Sequence, residues 1–203
     1  RAAAACLARA PPLPVRAVLL LDAVEGTAID GLPRTAAWLR ARPRSFPSHR
    51  EAVAWSLASG MLQDAAAAQL SVPSRLRWDD AAAAWVWRTD VAKAQGFWRG
   101  WFEGLSELFA GLPLPKLLVV GGLDRLDAAL EAAHMQGRFR LEVVPHCGHQ
   151  LHEDRPAEVA AAVAGFVAGV QRQLAAFARV CASPPAEPKR PRREAGPPGS
   201  AGQ

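Results

Sequence analysis

The chain has 203 residues, half of them hydrophobic, and a formal net charge of +5. That length suits one domain with a sizeable core, and a mean hydropathy near zero, with no apolar run near the ~20 residues of a membrane span, argues against membrane insertion. Much of the charge excess sits in Lys189 to Arg193 and the body is close to neutral, so no nucleic-acid groove is indicated. Cys6, Cys147 and Cys181 are too scattered for a disulfide framework or a zinc site, and a reducing compartment is the default.

Arg1 to Ala10 is an alanine-rich helical run ended by Pro11, Pro12 and Pro14. No methionine opens the chain and no charged-then-apolar leader follows, so a piece of a longer protein is expected. Val15 to Leu21, VRAVLLL, reads as a strand buried on both faces. Asp22 follows at its C-terminal end, where ligands and catalytic groups collect in parallel sheets. An isolated aspartate there also serves simply to start a loop.

Ala28 to Leu39 is helical and interrupted by Pro33. Arg40 to Ser48, RARPRSFPS, is a basic proline-punctuated loop. His49 to Gln69 reads as helices with a stop at Gly60, Ser71 to Asp80 as a linker, and Trp85 to Trp87 as a short extended piece. Thr89 to Phe109 carries the strongest helical signal, with Phe97, Trp101, Leu105 and Leu108 on one stripe. A tryptophan-rich helical insertion between strands, here about residues 33–115, has the character of a lid over a site.

Lys116 to Val120, KLLVV, is a second buried strand, and Gly121-Gly122-Leu123-Asp124 places another aspartate just past a glycine turn. Asp127 to Gly137 is a helix ended by glycine. In Leu141 to Asp154, LEVVPHCGHQLHED, a half-buried strand stops at Pro145, Gly148 turns the chain and His149 sits at the loop tip. Asp154 and Pro156 read as the cap and first turn of a closing helix with Val159, Val163, Phe166, Val167, Val170, Leu174 and Phe177 on its apolar side. Ala182 to Gln203 is expected to be disordered, and its PKRPRR run suits either a nuclear-import signal or a merely soluble basic tail.

Strand-Asp, lid, strand-Asp, strand-His is the chain order of the back half of an α/β hydrolase. The expected fold class is therefore α/β: the C-terminal part of that fold, a parallel sheet with a helical lid insertion over residues 1–181. In such a site a carboxylate orients an imidazole, which takes a proton from a serine. Asp22 and Asp124 compete for the acid, and His149 is the base unless it is an ordinary loop histidine. No G-x-S-x-G elbow occurs in the chain, and Cys6 lies in a helix and suits packing better than catalysis.

Three stretches resemble the protein phosphatase methylesterase family. They are LLLDAVEGTAIDGL from Leu19, WVWRTDVAKAQGFWRGWFEGLSELFAGLPLPKLLVVGGLDRLDAAL from Trp85, and MQGRFRLEVVPHCGHQLHEDRPAEVAAAVAGF from Met135. The resemblance implies an α/β hydrolase with a Ser-Asp-His triad and no cofactor. Its implied substrate is the methyl ester on the C-terminal leucine of the type 2A protein phosphatase catalytic subunit, which is also the expected partner, in cytoplasm or nucleus. It puts the acid on Asp22 rather than Asp124 and the base on His149, with the serine upstream of Arg1. The chain departs from the family pattern in having no elbow or oxyanion loop, a different segment at Ser71 to Ala84, and His146 where glutamine is usual. A catalytically dead phosphatase-binding module is the alternative.

Overall fold

The computed structural model describes residues 1–9 and 14–182. All of the expected tail but Ala182, and with it the PKRPRR run, lies outside the described residues. Two sheets organise the chain. Three strands, β1 (Val18–Leu21), β5 (Lys116–Val120) and β6 (Arg140–Val143), form a parallel sheet in the order β1-β5-β6. Between β1 and β5 the chain makes a second, antiparallel sheet of β2 (Ser45–Phe46), β3 (Leu76–Asp79) and β4 (Ala84–Trp87), in the order β2-β4-β3.

Helix α1 (Ala2–Leu7) opens the chain, and α2 (Glu25–Ala41) follows β1. The insertion adds α3 (His49–Ala58) and α4 (Ala65–Ser71), then α5 (Trp98–Phe102) and α6 (Leu105–Gly111). After β5 come α7 (Ala128–Met135), the short α8 (Leu151–Asp154) and the long α9 (Pro156–Ala182). The central strand β5 is buried at every position. Its alternate residues explain why: Leu118 and Val120 pack with Phe109, Leu130 and Phe139 on one face, while Leu117 and Val119 pack with Val144, Leu151, Val159 and Phe166 on the other. Both faces of the parallel sheet are thus covered, the arrangement expected of α/β layers. The insertion has its own core of Phe46, Ala52, Leu62, Ala68, Val72 and Leu76.

The structure departs from the sequence expectations in several places. β1 is half-buried rather than buried on both faces, because among the described strands it pairs with β5 alone. α2 runs through Pro33 without a break. The basic loop and the linker each contribute a strand, β2 and β3, drawn in by pairing with β4. The long helix expected over Thr89 to Phe109 is three pieces: a 3₁₀ run at Val91–Phe97, then α5, then α6. Gly104, at φ 74°, breaks it, and both carboxylate oxygens of Glu25 accept the backbone N–H groups of Gly104 and Ser106 at the start of α6. The aromatic stripe is consequently redistributed. Trp98 is buried, while Phe97 and Trp101 are exposed.

α9 buries Val159, Phe166 and Val170 against the sheet but leaves Val167, Leu174 and Phe177 exposed. Its stretch Pro156–Arg179 is long and apolar enough to cross a membrane by length and composition, which scanning for continuous apolar runs did not anticipate. Alanine and glycine supply nearly half of that stretch.

Candidate active site

Asp22 stands directly after β1, and its N–H donates to Val119 O at 2.8 Å, so the parallel ladder with β5 continues onto it. Its φ of 49° is left-handed, a conformation that aspartate tolerates better than most side chains. The turn aims the carboxylate back over the C-terminal end of β5. There the side chain is 1 % exposed. Oδ2 lies 2.9 Å from His149 Nδ1 and accepts a 2.6 Å hydrogen bond from Arg125 Nη1. The Gly121 N–H reaches Oδ1 at 3.5 Å.

His149 is the opposite in exposure. Its side chain is 80 % exposed, with only Nδ1 tied down. An ionised carboxylate can only accept, so Nδ1 carries the hydrogen and Nε2 presents its lone pair to the cleft. A buried acid behind an outward-facing base is the geometry that lets an imidazole receive a proton from a hydroxyl.

The loop bearing His149 is held by Asp154, which is buried at the end of α8. Asp154 does not cap the closing helix as expected. Its Oδ2 accepts the Gly148 N–H at 2.7 Å, and its Oδ1 accepts the N–H groups of Gln63 and Asp64 at 2.7 and 3.3 Å. One carboxylate therefore ties the histidine loop to the insertion. A Cβ on Gly148 would come within 3.1 Å of Asp154 Oδ2, so a larger residue there would make that carboxylate give way by a few tenths of an ångström. The left-handed residue of this turn is His146, at φ 56°.

Gly121 plays the same part beneath the acid. A Cβ there would lie 3.3 Å from Cys147 Sγ and 3.5 Å from Arg125 Nη2. Asp124, the rival acid, is exposed on the 3₁₀ turn Leu123–Arg125 and does not meet His149. Its neighbour Arg125 does meet the acid, and sequence reasoning passed over it. The signal was present, since an arginine closing a glycine turn after a buried strand stands above the sheet edge.

Asp127 caps α7 by accepting the Leu130 N–H, and also accepts from Gly26 N and Ser106 Oγ, the last at 2.6 Å. It fastens α2, α6 and α7 together behind the site. Cys147 is half-buried and donates its S–H to Val144 O. Burial first, and then the Asp22 charge, push its thiol above the ordinary value, which keeps it neutral and a poor nucleophile. Cys6 lies on α1, with no contact to Asp22 or His149 among the described hydrogen bonds. Among the described residues, no group of three or more His, Cys, Asp or Glu side chains is placed to hold a metal ion.

The alpha/beta hydrolase family model matches residues 2–162. A probable protein phosphatase methylesterase 1 of Caenorhabditis elegans is 41% identical over 152 residues, covering 75% of this chain and 42% of the relative. Protein phosphatase methylesterase 1 of Bos taurus is 36% identical over 189 residues, covering 73% of this chain and 50% of its own. The chain thus spans about half the length, or less, of these curated relatives. Among solved structures, an esterase from Mycobacterium tuberculosis, Rv0045c, superposes at a TM-score of 0.57 with 26% identity, covering 80% of this chain and 54% of that one. E-2-(acetamidomethylene)succinate hydrolase shares the fold at a TM-score of 0.63 and 20% identity. A parallel sheet clothed on both faces, an aspartate and a histidine joined at its C-terminal edge, and a family match over most of the chain lead to one statement: the chain belongs to the alpha/beta hydrolase family, and its similarity within that family runs to the protein phosphatase methylesterases.

Proposed function

We propose that this chain carries the acid and base of a serine carboxylesterase that removes the methyl ester from the C-terminal leucine of a type 2A protein phosphatase catalytic subunit. The observation that carries the reading is the 2.9 Å contact between Asp22 Oδ2 and His149 Nδ1, with the rest of the imidazole facing the cleft.

In this reading a serine hydroxyl attacks the ester carbonyl while His149 Nε2 takes its proton. Asp22 holds the tautomer and stabilises the imidazolium. The same proton then leaves with methoxide as methanol, giving an acyl-enzyme. Water adds by the same route in reverse, regenerating serine and releasing the free carboxylate. The 203 residues contain no G-x-S-x-G run. The reading therefore places the serine and the oxyanion donors in sequence outside residues 1–203.

The test is methyl release from a carboxymethylated phosphatase subunit. Residues 1–203 alone should show no turnover above a His149→Ala control. A longer chain that includes the serine should be active, and His149→Asn or Asp22→Asn in it should lose about 10²–10⁴-fold in rate. Turnover by the short chain that vanishes in His149→Ala would overturn the placement of the nucleophile, and Cys6 would be examined next. The missing elbow also favours a second reading, a module that binds phosphatase without hydrolysis. A longer chain that binds the subunit yet never releases methyl would select it.

A further inference from the structure

A cleft of about 430 Å³ lies at the end of the parallel sheet away from His149. Lys116 and Arg140, which line it, are the first residues of β5 and β6, whereas Asp22 and His149 meet over the last residues of β5. The length of a strand therefore separates this cleft from the acid and base. Three segments build it: the start of β5, the turn from α7 into β6, and the middle of α9. The turn is tight because Gly137 takes a φ of 68° after α7, which sets Arg138 at the rim and returns Phe139 to the core.

The lining joins cations to apolar surface. Lys116, Arg138 and Arg140 line the cleft, and among the described residues no aspartate or glutamate does. Phe139, Phe166 and Val170 supply the apolar part. The three cations are unequally answered. Arg140 is held by Glu142, whose Oε1 accepts from both its Nε and Nη2. Lys116 is buried, and its Nζ donates only to the carbonyls of Ala110 and Leu112 at 3.2 and 2.6 Å. Carbonyl oxygens carry partial charge, so that ammonium has no full counter-charge. Burial first, and then the Arg138 charge, hold it below its ordinary value. The Arg138 guanidinium has no side-chain or carbonyl acceptor among the described residues, and its only hydrogen bond there is made by its backbone N–H. Three cations against one carboxylate leave two positive charges with nothing to meet them. A phosphate monoester carries about −1.5 to −2 at neutral pH, and guanidinium forks bind its oxygens in bidentate geometry.

We propose that this cleft is an accessory site for a small phosphate monoester, with the phosphate set against Arg138 and Lys116 and an apolar body against Phe166 and Val170. The volume is at the low end for ligand pockets, which suits a small molecule rather than a peptide segment. A bound dianion relieves the repulsion between Arg138 and Lys116, and the apolar lining selects organic phosphates over the inorganic ion. The site stands apart from ester cleavage and needs no nucleophile.

The test is binding to the full chain, measured by calorimetry and by thermal shift. The probes are phenyl phosphate, inorganic phosphate and phenol. Phenyl phosphate is expected to bind saturably, at least about 10-fold more tightly than inorganic phosphate, and to raise the melting temperature. Phenol, which lacks the charge, should show no saturable binding. Arg138→Gln, on an exposed side chain, should weaken phenyl phosphate at least about 10-fold. Arg34→Gln, an exposed arginine on α2, should leave it unchanged and serves as the control for general attraction to a cationic chain. No saturable binding of phenyl phosphate, equal affinity for phenyl and inorganic phosphate, or saturable binding of phenol would each overturn the proposal. So would binding untouched by Arg138→Gln, or an equal loss in Arg34→Gln.

Discussion

Arg125 Nη1 lies 2.6 Å from Asp22 Oδ2, the same oxygen that faces His149 Nδ1 at 2.9 Å. The acid is therefore clamped from two sides, by a guanidinium and by the imidazole it orients. The first prediction follows from that shared oxygen. Arg125→Met should leave the Asp22 carboxylate free to rotate, and a misplacement of about 1 Å costs on the order of 10² in rate. In a serine-bearing chain kcat should fall by about that factor with KM nearly unchanged, and Arg125→Lys should recover much of it. Loss of kcat and KM together, with no recovery by lysine, would indicate a structural role only.

Asp154 receives three backbone N–H groups from two distant segments. Asp154→Ala would orphan all three in a buried place. Hydrogen bonds to a charged group contribute about 1.5–3 kcal/mol each, and the groups left behind regain some water. A loss of about 3 kcal/mol is expected, read as a lower urea midpoint at unchanged slope. Asp154→Asn, which keeps one acceptor, should lose less. An Asp154→Ala protein as stable as the parent would show that the insertion is not tied through this carboxylate.

Trp98 and Trp101 offer a paired test of which aromatic face is inside. Trp98 is 4% exposed and Trp101 is 51% exposed. Trp98→Ala should cost about 3–5 kcal/mol of stability through the cavity it leaves. Trp101→Ala should stay within about 0.5 kcal/mol. Thermal or chemical denaturation of the two variants decides it, and the reverse order would restore the stripe that helical periodicity suggested.

The Cys147 thiol is held above its ordinary value by burial and then by the Asp22 charge. A raised value means less thiolate at neutral pH, so alkylation by iodoacetamide at pH 7 to 8 should be slower than for a free thiol. The rate should still be climbing above pH 9, the ordinary value. Peptide mass mapping after timed alkylation reads it directly. Rapid modification at pH 7 would show a stabilised thiolate and make Cys147 a candidate nucleophile.

Local patterns in the chain carried much of the architecture. Continuous apolar runs marked β1 and β5, and the proline and glycine signals bounded α3, α7 and the histidine loop at residues close to those observed. They failed where partners at a distance decide the outcome. Ser45–Phe46 and Leu76–Asp79 have little strand character alone and become strands because the Trp85-Val86-Trp87 piece pairs with both. The tryptophan-rich run has helical spacing throughout, yet Glu25, about 80 residues away, caps a helix that starts only after Gly104. Periodicity reports which face a helix could bury, and tertiary contact chooses where the helix begins.

By itself the sequence determined the α/β class, the order of strands and insertion, and the places where an aspartate and a histidine leave their strands, because each depends on residues near in the chain. It left Asp22 and Asp124 as rivals, and only the resemblance to a family favoured one. The tertiary structure decided which of them meets His149. Parallel pairing of β1 with β5, in the register Leu21 to Val119, sets Asp22 at the sheet edge beside residues 99 to 127 positions further on. That register is fixed by burying both faces of β5, and no local pattern encodes it. The Arg125 clamp, the Asp154 tie and the cation-lined cleft exist only once those distant segments have been packed together.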